Sequence, residues 1–152
     1  MEQGRVAACH MFGVNFKQSV ASLFPMGIYT IPPIAMIGLS EDQALEQGRK
    51  VIVGRAPYRL NARGRMLGDG EGMLKAVFDR RTRALLGAQV IGAQATELIH
   101  FAHPLITQEL GIEYLIDTCF NYPSLTELFK YAAYHALQQI AVDDRSIGSQ
   151  AA

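Results

Sequence analysis

The stretch 117–127, Asp-Thr-Cys-Phe-Asn-Tyr-Pro-Ser-Leu-Thr-Glu, constrains this chain more than any other. Tyr122-Pro123 closes an extended aromatic segment. Ser124 follows, with Glu127 three residues on. That is the spacing of a capping box, in which the Ser hydroxyl accepts from the third helical N–H and the carboxylate reaches back. Beyond it, Leu125, Leu128, Phe129, Ala132, Ala133, Ala136, Leu137 and Ile140 form one apolar stripe at helical period. An extended segment, a sharp turn and a long helix therefore meet at Tyr122-Pro123. A turn that sharp, with an N-cap as its very next residue, predicts a cis peptide bond before Pro123.

Such a helix needs an apolar surface to cover, and the chain upstream supplies one. Residues 2–12 read as a helix with Val6, Cys9 and His10 on one face and Gly13 as its C-terminal stop. Residues 25–38 read as a strand, a proline break and a second short strand, since proline is tolerated at strand starts and edges. Ser40-Glu41-Asp42-Gln43 is a second capping box, opening a short helix that ends at Gly48. Residues 50–58 read as a strand, 61–67 as a short helical turn and 68–72 as a glycine-rich turn. Residues 73–79, with Leu74, Ala76 and Phe78 on one face, pair with 84–93 as a hairpin across the charged turn 80–83. Residues 94–111 are predicted helical and uneven around Pro104, and 112–117 a short helix. The small polar tail after Asp143 is predicted to fray. Strands first and helices after them give an α+β class, a mostly antiparallel sheet with helices packed on one face.

Composition narrows the function. Charge balances to a net of zero over 152 residues, which argues against a nucleic-acid partner. Cys9 and Cys119 are the only two cysteines and form no Cys-x-x-Cys pair. Isolated cysteines fit a reducing compartment, and a cytoplasmic location is the expectation. No apolar run is long enough for a membrane helix, because Pro32 and Pro33 interrupt the run 28–39. The dinucleotide fingerprint Gly-x-Gly-x-x-Gly is absent, and Gly68-x-Gly70-x-Gly72 is too tight and precedes a strand.

Phe120-Asn121-Tyr122-Pro123-Ser124-Leu125-Thr126-Glu127 resembles the interface motif of the flavin-dependent pyridine nucleotide–disulfide oxidoreductases. Gly27-Ile28-Tyr29-Thr30-Ile31-Pro32 resembles the start of that family's dimerisation domain, although Pro33 stands where the family has Glu. Gly92-Ala93-Gln94-Ala95-Thr96-Glu97-Leu98-Ile99-His100 resembles its interface-domain helix start. Gln3-Gly4-Arg5 resembles the last helix of its flavin-binding domain. The resemblance implies that 1–23 is the tail of a flavin-binding domain otherwise missing and that 24–152 is the dimerisation domain. It also implies a homodimer formed through helices near 97–108 and 124–140. FAD and NAD(P) would be held by the missing domains of the same polypeptide in the full-length parent. The fragment itself is expected to bind no cofactor and to hold no catalytic residue in isolation. In the family's disulfide reductases a catalytic His precedes the Pro, and here Tyr122 stands in its place. The Asn-Tyr-Pro version resembles the transhydrogenase branch, which passes hydride between NADPH and NAD through FAD. Two other readings stay open: a free-standing homodimeric binding module, and the interface domain of a dihydrolipoamide dehydrogenase-like disulfide reductase.

Each candidate residue carries a plain reading beside a chemical one. Glu127 caps a helix; in the family the matching Glu orients the catalytic His, and here there is none to orient. Tyr122 is a general acid or, with Pro123, the wall over the partner subunit's flavin; with a phenol pKa of about 10 it is a poor base at neutrality. His100 and His103 have ligand spacing but no third ligand nearby to complete a metal site, so packing or dimer contact is the expectation. Arg55, Arg59, Arg63 and Arg65, and the arginines of the 80–83 turn, fit no phosphate motif and read as solvated turns.

Overall fold

The computed structural model describes residues 1–150, with side chains through Val142. Five strands form one sheet: β1 (Met26–Ile28), β2 (Ile34–Gly38), β3 (Val51–Pro57), β4 (Met73–Asp79) and β5 (Leu85–Ile91). Their order is β1-β2-β5-β4-β3, and every neighbouring pair is antiparallel. This is the α+β arrangement that the order of segments predicts. Pro32 and Pro33 fall between β1 and β2, where no ladder donor is needed. The cis bond expected before Pro123 is present, and a second, not expected, precedes Pro32.

Alternation decides which face is covered. Ala35, Val90, Leu74 and Ala56 are register partners across four strands, and all are buried. Leu74, Ala76 and Phe78 share that face, as their spacing predicts, and are fully buried. Over it lie α4 (Ala95–Leu98), a 3₁₀ turn (Ile99–Phe101), α5 (Ala102–Thr107), α6 (Ile112–Asp117) and α7 (Glu127–Gln150). The uneven run expected at 94–111 is this broken helix. Its break falls at Ile99–Phe101, and Pro104 sits in the first turn of α5, where a missing N–H costs nothing.

Helix α7 covers the core and also closes one sheet edge. Edge strand β3 leaves backbone groups facing outward, and such edges invite pairing with other chains. Here the Arg55 N–H donates to His135 Nδ1 at 3.2 Å, and Gln139 Nε2 donates to the Val53 carbonyl at 2.9 Å. The segment after Asp143, expected to fray, is helical through Gln150. Once a helix has nucleated, each added residue gains a bond for little further cost. Ala151 and Ala152 lie outside the described residues.

The other sheet face holds α2 (Glu41–Glu46), outside the layer formed by α4 to α7. Both capping-box bonds are made: Gln43 N–H donates to Ser40 Oγ at 3.1 Å, and Ser40 N–H donates to Gln43 Oε1 at 2.9 Å. Glu41 pairs with Lys75 at 2.7 Å and with Arg55 at 3.7 Å. Elsewhere this face exposes Met26, Ile28, Met73 and Ile91. Helix α1 (Glu2–Met11) buries Cys9 and half-buries Val6, while His10, expected on the same face, is exposed. The Lys17–Glu2 ion pair at 2.7 Å ties the following segment back onto α1. Among the described residues no helix is long and apolar enough to cross a membrane.

Candidate functional site

The Tyr122-Pro123 turn is held between two apolar anchors. Before it, Phe120 meets Phe101 edge-on at 5.6 Å between ring centroids, and Phe101 in turn lies 5.2 Å from Phe129 on α7. The Lys130 ammonium sits 5.6 Å from the Phe120 ring centroid, a cation–π contact. After it, Leu125 is buried. Between these anchors Tyr122 is 74% exposed.

Ser124 does not act as the N-cap its spacing predicts. Helix α7 begins at Glu127, after 3₁₀-type bonds from the Leu128 N–H to the Leu125 carbonyl and from the Phe129 N–H to the Thr126 carbonyl. One half of the box is made: the Ser124 N–H donates to Glu127 Oε2 at 3.3 Å. The other half is not, and Ser124 Oγ is buried with no partner among the described residues. The Leu128 N–H, which an N-cap at Ser124 would direct to the Ser124 carbonyl, donates to the Leu125 carbonyl at 3.0 Å instead. From across the fold, Asn61 Nδ2 donates to the Ser124 carbonyl at 2.9 Å.

Asn61 gives no sign of this role in the sequence beyond its place before a helical turn. It is fully buried and N-caps α3 (Ala62–Met66), with Oδ1 accepting from the Gly64 N–H at 3.0 Å. A backbone N–H only donates and a carbonyl only accepts, so the two partners fix which end of the amide faces which.

A second network fixes the neighbouring wall. Tyr58, in the 3₁₀ turn after β3, is fully buried, and its hydroxyl donates to the Ala93 carbonyl at 3.0 Å. Asp69 accepts from the Gly72 N–H at 2.8 Å and from the Ala93 N–H at 2.6 Å. The Tyr58 phenol is pushed well above its ordinary range, first by burial and then by the nearby Asp69 carboxylate. Glycine is required at Gly92, where φ is +131° and a Cβ would lie 2.8 Å from the Asp69 carboxylate. Through Ala93 this network sets Gln94, whose φ is +59°. Arg63, Gln94, Glu97, Pro123, Ser124 and Thr126 then line a cleft of about 420 Å³. A wider cleft, about 770 Å³, lies between α1 and residues 13–20 and contains none of the turn.

Glu127 faces one further group. Tyr131, one turn along α7, has its phenol raised above the ordinary range, first by burial and then by the Glu127 carboxylate and the Tyr122 phenol beside it. The motif thus places the Tyr131 phenol near both the Glu127 carboxylate and the Tyr122 phenol. His100 is exposed on the 3₁₀ turn and His103 is on α5. Among the described residues no group of three His, Cys, Asp or Glu converges. The arginines are divided: Arg55 pairs with Glu41, Arg83 pairs with Glu113 at 2.6 Å, and Arg63 lines the cleft. What meets at the turn is an exposed ring, a cis bond before Pro123 and a backbone bonded by Asn61 and Glu127.

A soluble pyridine nucleotide transhydrogenase of Mycobacterium bovis is 38% identical over 140 residues, covering 92% of this chain and 30% of its own. The Colwellia psychrerythraea protein of the same name is 37% identical over 142 residues, covering 91% and 30%. This chain therefore spans under a third of the length of these relatives. Among solved structures, LpdA of Mycobacterium tuberculosis superposes with a TM-score of 0.74 at 28% identity, over 87% of this chain and 29% of that one. The HOCl-induced flavoprotein disulfide reductase RclA of Escherichia coli, in its Cu(II) complex, gives 0.76 at 25% identity, over 86% and 30%. Residues 24–133 match the family described as pyridine nucleotide-disulphide oxidoreductase, dimerisation domain, and the chain belongs to that family.

Proposed function

We propose that this chain is the dimerisation domain of a flavoprotein that passes hydride between NADPH and NAD through FAD. Residues 24–152 form the interface domain, and residues 1–23 are the tail of the flavin-binding domain. The chain pairs with a second copy through the helices near 97–108 and 124–140, where Tyr134 of α7 stands 45% exposed, with Val142 just beyond at 64%. Pairing sets the Tyr122-Pro123 turn over the flavin of the partner subunit, with Glu127 bracing the turn through the Ser124 N–H. The protein works in the cytoplasm, in keeping with two free thiols. FAD, when held by the flavin-binding domain, supplies the hydride chemistry. This chain contributes a wall that shapes the site and excludes water, and alone it neither holds a flavin nor turns over.

The observation that carries this reading is Tyr122 at the exposed turn. Disulfide reduction needs a group that titrates near neutrality to protonate a leaving thiolate. Imidazole does so, and a phenol with a pKa of about 10 does not. Hydride exchange has no thiolate step. The likeness to disulfide reductases supports the second reading, an interface domain from that branch. Assaying the full-length flavoprotein for NADPH-to-NAD hydride exchange and for reduction of lipoamide or glutathione disulfide separates the two. Fast exchange with poor disulfide reduction is expected, and efficient disulfide reduction would overturn the assignment.

A further inference from the structure

We propose that Asn61 is the positioning residue of the Tyr122-Pro123 turn, so that the β3–β4 connection belongs to the functional site. The proposal rests on the wall role of that turn for its consequences in turnover. The geometry stands independently.

Ser124 is the residue on which the turn hangs, and side chains from opposite directions hold both of its backbone groups. Glu127 takes the N–H from the turn's own helix at 3.3 Å. Asn61, 63 residues earlier in the chain, takes the carbonyl at 2.9 Å. Asn61 is the one polar residue among the buried side chains of the described core. Its other polar groups are bonded as well. Its own N–H donates to the Tyr58 carbonyl at 2.9 Å, and its Oδ1 accepts from the Gly64 N–H. Gly64 is pressed so close that a Cβ would lie 2.5 Å from the Tyr58 carbonyl oxygen. Tyr58 is fixed in turn through Ala93. A rigid chain of contacts thus runs from the buried Tyr58 through one amide to the turn. Without the Asn61 donor, the Ser124 carbonyl loses its tie to the β3–β4 connection, and among these side-chain bonds only that of Glu127, from the turn's own helix, still holds Ser124. Asn61 thus sets where Pro123 and Tyr122 stand relative to the sheet.

Asn61→Asp separates this role from helix capping. Aspartate is as good an N-cap as asparagine, so the bond from Gly64 survives. Ionised, it has no proton for the Ser124 carbonyl; protonated, it has one. Burial against a carbonyl oxygen raises the introduced carboxyl above the ordinary Asp value of about 3.9. Glu127, Tyr122, Tyr131 and Arg63 also face this region and titrate or carry charge in wild type and variant alike, so the difference between the two proteins belongs to the introduced group. Backbone amide resonances of this chain from Tyr122 to Leu128 are expected to differ from wild type at pH 7 and to return toward it on acidification. Asn61→Leu should differ at every pH. In the full-length flavoprotein, kcat for hydride exchange should fall about tenfold in Asn61→Asp, ~1.4 kcal/mol of barrier, with KM for the nicotinamide unchanged. Wild-type resonances at pH 7 in the Asp variant would reduce Asn61 to a cap and overturn the proposal. Should that variant not fold, hydrogen exchange of the wild-type Asn61 side-chain amide decides. Strong protection is expected; exchange as fast as at the exposed Asn15 and Asn121 would overturn it. A displaced turn with unchanged kcat would uphold Asn61 as the latch and refute Tyr122 as a flavin wall.

Discussion

The Cβ that Gly54 lacks would fall 2.1 Å from the carbonyl oxygen of Ala132. Strand β3 and helix α7 are in backbone contact there, and the small residues Ala132, Ala133 and Ala136 extend that contact along the helix. Gly54→Ala must lift α7 away from the sheet, since backbone on both sides cannot yield as a flexible side chain would. Its expected cost is about 3 kcal/mol, the upper range for overpacking a core. Urea unfolding measures it, and a loss below about 0.5 kcal/mol would show that the helix rides loosely.

Tyr58 sets an alkaline limit on stability. Its phenol is held protonated by burial and by Asp69, so its folded pKa lies above the unfolded one. Stability from this group is full below about pH 10 and is lost as pH rises from there through the folded value. Spectrophotometric titration should show Tyr58 ionising only as the chain unfolds. Tyr58→Phe should cost about 1 kcal/mol, since the Ala93 carbonyl loses its donor. Unchanged stability in the Phe variant would show that the hydroxyl is dispensable.

Asp79 acts at the opposite limit. Its carboxylate accepts from the N–H groups of Arg81 and Thr82, both at 2.9 Å, and meets Arg49 at 3.6 Å. The Thr82 bond leads in holding its pKa below the ordinary value, opposed by burial. Its contribution is therefore full above about pH 3.9 and is lost as pH falls through the lowered folded value. Asp79→Ala should cost about 1 kcal/mol at pH 7, and the gap from wild type should close in acid. A gap that stays constant down to pH 2 would refute the linkage.

Most of the sheet was legible because alternation over β4 and β5 and the proline break before β2 are local signals. The capping box at Ser40 was legible for the same reason, and it forms. The identical spacing at Ser124 misled: only the Glu127 half of the box forms, and α7 starts at Glu127. The Asn61 bond to the Ser124 carbonyl was hidden as well, a contact set by tertiary packing that no local pattern records. Tyr58 and Asp69 were hidden likewise, being distant in sequence from Ala93, where their bonds converge. Val77 reads as the polar-facing side of β4 yet is fully buried. Sheet alternation cannot foresee a helix such as α2 on the second face.

Tyr122→Phe tests what the exposed ring does in the full-length flavoprotein. A wall needs the ring and not the hydroxyl, so hydride exchange should stay within about threefold of wild type. A hundredfold loss, ~2.7 kcal/mol of barrier, would make the phenol an acid or an essential hydrogen-bond donor.

Pairing is the premise on which the wall over a partner's flavin depends, and sedimentation equilibrium of this chain tests it directly. A two-fold dimer at micromolar concentration is expected, through an interface of roughly 1,600 Å² in total, and Tyr134→Glu together with Val142→Glu should dissociate it. A monomer at high micromolar concentration would contradict the account.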